Sequence, residues 1–329
     1  MAQTEYIGAG ALARLSEIIA EHNAQKIFLV VGKSSYQASG AEAVLAPILA
    51  SLAVTRFDEL GALTLEEHVT EGLSVYKKCA PDLVVAVGGG HVLDAAKAIN
   101  AMGNRVPLVA VPTTGGSGAE ATPFAVIYKA GVKTSLDGPE VLPTYAIIDP
   151  LLIASTPRTA AIASGLDALC QALESLWAKG ATNESRGYAT EALELVVPTL
   201  KTAVDTRDPA ALDSLARGAH CAGKAIAISK TTAAHALSYG LTYRFGIPHG
   251  IAAALLMPPL MRINKVMLPV SAEDIESLLR HCDVGPLSRF GVKRSDAASL
   301  SDGVDPERLG NNPRALSKED IQQLYMNIL

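Results

Sequence analysis

The sequence predicts an α/β layer joined to an all-α half, and two observations carry that prediction. Between about residues 26 and 150, short apolar β-rich runs alternate with longer helix-forming stretches, whereas beyond Asp149-Pro150 the strand signals stop and helical segments follow one another. The 329 residues also exceed what one hydrophobic core usually serves. Residues 1–150 therefore read as an α/β domain and residues 151–329 as a helical one.

The strands are expected at KIFLVVG (26–32), VTRFDEL (54–60), LVVAVGG (83–89), VPLVAVPT (106–113) and YAIIDP (145–150). Continuous apolar runs of this kind belong to parallel strands covered on both faces, so the first half reads as an open nucleotide-binding sheet. Helices are expected over 159–178, 184–204, 208–228, 230–243, 250–264, 272–280 and 317–328. The stretch 283–316, with scattered Gly, Pro and Asn, reads as irregular.

Composition narrows the function. With 49% hydrophobic and 19% charged residues the chain is not disordered, and 5% aromatics beside abundant Ala, Leu and Gly predict close-packed helices. A net charge of -5, with both signs interspersed, leaves no basic stripe for a nucleic acid. Cys79, Cys170, Cys221 and Cys282 lack CxxC spacing and read as reduced thiols. The opening MAQTEYIGAG has no charged segment followed by an apolar run, and no apolar stretch reaches the ~20 residues a bilayer requires. The expectation is a cytoplasmic protein with no membrane partner.

Gly88-Gly89-Gly90-His91 lies between a strand and a helix, where glycine permits close backbone approach and the helix start offers N–H groups to an anion. A glycine triplet alone serves a pyrophosphate and a plain tight turn equally well. A second loop, Pro112-Thr113-Thr114-Gly115-Gly116-Ser117-Gly118, follows the next strand, and two such loops at successive strand ends define a crevice. Asp94 and Lys97, three residues apart, read as a surface pair, and His91 reads as a group near the cofactor. In the helical half, Asp167 and Gln171 are one turn apart on one face, and Pro248 precedes His249 at a helix start. With His235 they offer a carboxylate and two imidazoles to zinc or ferrous iron. On residue type alone, histidines in a helical region are ordinary core or surface groups; His22, His68, His220 and His281 are read that way.

Taken in order, GGGHVLDAAK, VPTTGGSGAE, KTSLDGPEVLPTYAIIDP, SGLDALCQALES and HALSYGLTYRFGIPHG resemble the iron-containing (group III) alcohol dehydrogenase family. The resemblance implies a Rossmann-like α/β N-terminal domain plus an all-α C-terminal domain, the architecture also shared by dehydroquinate synthase. It implies NADPH or NADH and a divalent metal, Fe(II) or Zn(II), in the cleft between them, and hydride transfer between nicotinamide and a small aldehyde or alcohol. Carried over by motif, Gly88, Gly89, Gly90 and Asp94 meet the pyrophosphate and its neighbourhood. Thr113, Thr114 and Ser117 meet the nicotinamide side, and Lys133 and Leu142 the adjoining wall. Asp167, His235 and His249 fall on metal-ligand positions, with His249 catalytic through the metal.

Three positions depart from the family pattern. His91 stands where Ser is common, Gln171 where the fourth metal ligand is usually histidine, and Tyr239 where many members complete HxxxH. Tyr239 either supplies a hydroxyl near the reacting oxygen or fills space. Many NAD-preferring relatives carry an acid after the first β run; here Gly32 and Lys33 stand there, which favours the 2′-phosphate of NADPH. The stretch SKTTAAHALSYGLTYRFGIPHG resembles a branch similar to phosphonoacetaldehyde reductases, for which Arg158, Lys224, Lys230 and Arg244 are candidate anion contacts or plain surface charges. The other functional class is a non-catalytic nucleotide or metabolite sensor with a degenerate metal site. A homodimer is expected for such a fold.

Overall fold

The computed structural model describes residues 3–61, 63–130 and 132–329, the side chain of Val132 excepted; Met1 and Ala2 of the opening segment lie outside the described residues. Eight strands occur among the described residues: β1 (Thr4–Ile7), β2 (Lys26–Val31), β3 (Ala53–Phe57), β4 (Leu83–Gly88), β5 (Leu108–Pro112), β6 (Phe124–Lys129), β7 (Val132–Asp137) and β8 (Tyr145–Ile148). Six form one sheet in the order β1-β8-β5-β4-β2-β3, and every pairing in it is parallel. Around it lie α1 (Leu15–Glu21), α2 (Ser35–Ala38), α3 (Ala41–Leu49), α4 (Glu66–Cys79) and α5 (Gly90–Met102).

Apolar residues fill β2, β4 and β5 because both faces are covered. In β2, Leu29 and Val31 join one core with Leu15 and Leu45, while Phe28 and Val30 join the opposite core with Tyr76 and Ile99. A strand with period-two geometry buried on both faces leaves no polar alternation to read. Strand order reverses between β2 and β4, so the loops following these two strands flank the crevice where α/β sheets receive ligands.

The five expected strands are present, but β1 and the β6–β7 hairpin were not foreseen. β1 has only four residues and includes Glu5; it forms an edge strand whose pairing with β8 is long-range. β6 and β7 pair antiparallel outside the main sheet.

The second half contains α6 (Arg158–Trp177), α7 (Asn183–Asp205), α8 (Pro209–Ser229), α9 (Ala233–Phe245), α10 (His249–Asn264), α11 (Ala272–His281), α12 (Ala297–Asp302), α13 (Pro306–Gly310) and α14 (Lys318–Asn327). Each expected helix lies within three residues of its observed bounds. The segment 283–316 is more ordered than expected. It holds α12, α13 and two 3-10 turns, and the Asp305 carboxylate caps α13 by accepting from the Glu307 and Arg308 amides at 2.9 and 3.1 Å. The helical core extends to Ala146 and Ile148 of β8, which joins the two halves. No helix among the described residues is long and apolar enough to cross a membrane.

One polar reading needs correction. Lys97 is not a surface residue: it is 1% exposed, and its ammonium donates to the Ala119 carbonyl (2.8 Å), Thr122 Oγ1 (3.0 Å) and the Phe124 carbonyl. A cation on the inner face of α5 thereby pins the loop leading from β5 to β6. His220 is a core histidine with charged partners. It is buried on α8, 3.1 Å from Glu120 and 3.4 Å from Glu5, and Lys224 reaches Glu5 at 3.0 Å. Burial disfavours its imidazolium, but the Glu120 and Glu5 carboxylates outweigh that cost and raise its pKa to about 9. The cluster ties α8 to β1 and to the second glycine-rich loop.

Candidate active site

A cleft of about 690 Å³ lies between the sheet and the helical half, and it gathers most of the expected site. Its sheet side includes Gly89, Gly90, His91, Asp94, Thr114 and Ser117. Helix α5 starts at Gly90; the Val92 and Leu93 amides donate to the Gly89 carbonyl at 2.9 and 3.2 Å, which leaves the Gly90 and His91 amides at the helix start to face an anion. A Cβ on Gly90 would lie 2.7 Å from Ser117 Oγ; the close approach of the two loops requires a residue without a side chain. Lys133, on β7, also borders the cleft. Gly32, Lys33, Gly88, Thr113 and Leu142 are not among the cleft-lining residues. Gly32 donates its amide to the Val87 carbonyl and so sits beside β4 at the strand reversal, with Lys33 exposed. Thr113 is buried, and Leu142 is partly buried just before β8.

The helical side brings Asp167, Gln171, His235, Tyr239 and His249 to the same cleft. One ligand atom each from Asp167, His235 and His249 lies within 4.8 Å of the other two, although the residues come from α6, α9 and α10. His249 is brought close because α10 starts against α6: a Cβ on Gly250 would lie 1.9 Å from the Ala163 carbonyl oxygen. Burial lowers the pKa of His249 to about 4, leaving a neutral imidazole with a free lone pair at neutral pH. Burial works against a charged His235, yet Glu174 and Asp167 raise its pKa to about 9. Burial likewise opposes the Asp167 carboxylate, but the two histidines hold its pKa below the ordinary value.

These groups fit a divalent cation. A carboxylate and two imidazoles match the ligand preferences of zinc and ferrous iron, and the Glu174 and Asp167 carboxylates favour positive charge at His235. Gln171 adds an independent sign: its amide nitrogen donates to the Ser117 carbonyl at 3.1 Å, while its buried Oε1 has no hydrogen-bond partner among the described residues. An unpartnered buried carbonyl oxygen is costly unless something electropositive meets it.

Sequence reading missed Glu174. It lies seven residues after Asp167 on the same stripe of α6, is fully buried, and accepts from His235 Nδ1, Thr232 Oγ1 (2.7 Å) and the Ala234 amide (2.7 Å). A carboxylate on Nδ1 fixes the histidine so that Nε2 faces Asp167, 3.1 Å away. The i, i+7 spacing was a visible signal; what it lacked was knowledge that α9 packs against that stripe. Tyr239 stacks on His249 with ring centroids 5.5 Å apart, and the Lys133 ammonium lies 3.4 Å from its ring centroid. Burial holds the Tyr239 phenol well above its usual range, and burial followed by Arg308 brings Lys133 down to about 7.

The model of the iron-containing alcohol dehydrogenases matches residues 2–150, and that of the C-terminal region of the Fe-containing alcohol dehydrogenases matches residues 161–284. The chain belongs to the iron-containing alcohol dehydrogenase family. Phosphonoacetaldehyde reductase of Streptomyces viridochromogenes is 33% identical over 298 residues, spanning 74% of this chain and 75% of that protein. Lactaldehyde reductase of Escherichia coli is 27% identical over 371 residues, spanning 98% and 97%. The crystal structure of sulfoacetaldehyde reductase from Bifidobacterium kashiwanohense in complex with NAD+ superposes with a TM-score of 0.91 at 25% identity, covering 99% of this chain and 96% of that one. As a member of the family, the chain is an NAD(P)-dependent oxidoreductase of alcohols and aldehydes that works with a divalent metal.

Proposed function

We propose that this dehydrogenase reduces a small aldehyde in the cleft between its two halves, with the metal held by Asp167, His235 and His249 and with Gln171 Oε1 as a fourth donor. The observation that carries this reading is the convergence of three ligand atoms within 4.8 Å in the cleft that also contains the Gly89-Gly90 helix start. When bound, the metal would supply Lewis acidity and the reduced nicotinamide a hydride, which forms the new C–H bond. The chain does the rest. Amides at the start of α5 hold the pyrophosphate, Ser117 and Thr114 flank the nicotinamide side, and Asp94 and Lys133 form the adjoining walls. Tyr239 Oη keeps its proton throughout the neutral range and is the group that donates it to the nascent alkoxide, directly or through water. The stacked Tyr239 and His249 rings also exclude water from the reacting face.

The division near residue 150, a cytoplasmic location and a homodimer belong to the same reading; the boundary between the two family matches supports the first, and a symmetric pair is the commonest assembly of such chains. NADPH is the preferred cofactor, because Gly32 and Lys33 place a cation and no carboxylate beside the strand reversal. The test is metal content and steady-state NADPH and NADH oxidation against an aldehyde panel, for the wild type and His249→Ala. The variant is expected to lose metal retention and turnover together. Full activity in a metal-free His249→Ala protein refutes the metal site.

A further inference from the structure

We propose that Arg308, with Lys133 beside it, seats an oxyanion group at the far end of the substrate, so that the preferred aldehydes are small ones carrying a phosphonate, sulfonate or carboxylate. This rests on the aldehyde-reductase reading above and specifies its substrate class.

Arg308 lies on α13, within the segment that the sequence left irregular. It borders the cleft, is 5% exposed, and its buried Nη1 has no hydrogen-bond partner among the described residues. Its guanidinium carbon is 5.5 Å from the ring centroid of Phe124, another cleft residue. Of the two nearest carboxylates in sequence, Glu307 is exposed and Asp305 has one oxygen engaged in capping α13. A guanidinium buried without a counter-charge is expensive, and such a site is maintained where a ligand brings the missing charge. Lys133 adds a second cation on the same wall, against the ring of Tyr239, which in turn stacks on His249. The free positive charge therefore adjoins the metal-ligand side, whereas the dinucleotide phosphates have the start of α5. Burial and the neighbouring guanidinium depress the Lys133 pKa by more than the Asp305, Asp94 and Asp167 carboxylates restore it, and an anion between the two cations would relieve that repulsion.

The other basic candidates are already engaged. Arg158 pairs with Asp205 at 3.0 Å, Lys224 with Glu5 at 3.0 Å, Lys230 with Asp137 at 3.1 Å, and Arg244 donates to Ser299 at 2.9 Å; none borders the cleft. The backbone that carries Arg308 is also pinned. Asn311, just after α13, donates to the Ser229 and Thr231 carbonyls at 2.8 and 3.0 Å, and Lys179 donates to the Gly310 carbonyl at 2.9 Å. A buried arginine carried on a pinned turn of helix loses less freedom on binding than one on a mobile loop.

The test is kcat/KM of the metal-loaded enzyme with NADPH for phosphonoacetaldehyde, sulfoacetaldehyde and neutral lactaldehyde, in the wild type, Arg308→Gln and Arg308→Lys. The wild type is expected to prefer at least one anionic aldehyde by about 100-fold, with the larger ratio identifying the oxyanion. Arg308→Gln should lower that ratio by about 100-fold, mainly through KM, and Arg308→Lys by roughly tenfold, since it keeps the charge and loses the fork. Competitive inhibition of lactaldehyde reduction by phosphonoacetate, with far weaker inhibition by acetamide, supports the same site in the wild type alone and does not depend on how well the variants fold. A wild type that reduces lactaldehyde but neither favours an anionic aldehyde nor binds phosphonoacetate overturns the inference and leaves the aldehyde-reductase reading standing. Failure of the metal-loaded wild type on every aldehyde removes that reading and the inference with it.

Discussion

Replacing Glu174 by Gln tests the residue that orients the metal-side histidine. The carboxylate is fully buried and accepts from Thr232 Oγ1, the Ala234 amide and His235 Nδ1. Glutamine keeps the volume but has one acceptor end and one donor end. If its oxygen stays on Thr232 and Ala234, its NH2 faces His235 Nδ1, and the imidazole must then carry its proton on Nε2, the atom 3.1 Å from Asp167. Nε2 then has no lone pair for a metal, and loss of such a supporting carboxylate costs about 10–100-fold in affinity, roughly 1.4–2.8 kcal/mol. If the amide rotates instead, its NH2 meets the Ala234 N–H and leaves buried donors unmatched, at about 1–3 kcal/mol of stability. Competition titration of Zn(II) against a chromophoric chelator reads the first outcome, and calorimetric melting of the metal-stripped protein reads the second. One of the two must change. A Glu174→Gln protein with wild-type metal affinity and wild-type Tm refutes the assigned role.

Three further outcomes follow from the same geometry. His220→Gln should cost about 3 kcal/mol, because it leaves Glu120 buried without its cation. The His220 contribution is complete below its unfolded value of 6.5 and lost as pH rises through about 9, and the Glu5 contribution is complete above 4.5 and lost as pH falls toward about 2. The wild-type advantage in denaturant titrations should therefore narrow above pH 9, and a gap that widens there contradicts the pairing. Gln171→Ala should weaken Zn(II) binding about tenfold and raise the NADPH KM, since it removes Oε1 and the tether to Ser117 together; a change in KM alone would assign the residue to the cofactor loop only. Lys33→Glu should lower the NADPH-to-NADH ratio of kcat/KM by about tenfold, and an unchanged ratio places the 2′-phosphate elsewhere.

Much of the frame was legible along the chain because burial on both faces writes itself as uninterrupted apolar runs, as in β4 and β5. The hairpin of β6 and β7 left no comparable mark: it is half-buried, and its partly polar strands pair with each other outside the main sheet, with one further bridge from Tyr128 to Leu65. Lys97 was misread for a related reason. Three residues after Asp94 it has the spacing of a solvated pair, and only the fold shows that this face of α5 is covered by the loop it holds.

Residue order alone determined the family motifs, the chemical kinds of ligand present and the alternation that makes the sheet parallel, since these depend on local spacing and side-chain type. The tertiary structure decided which charges share a space. Glu174 reached His235 across 61 residues, His220 reached Glu120 across 100, and Arg308 entered the cleft from a stretch with no readable periodicity. Coulomb energy and desolvation depend on distance and burial through space, and neither quantity is encoded in separation along the chain.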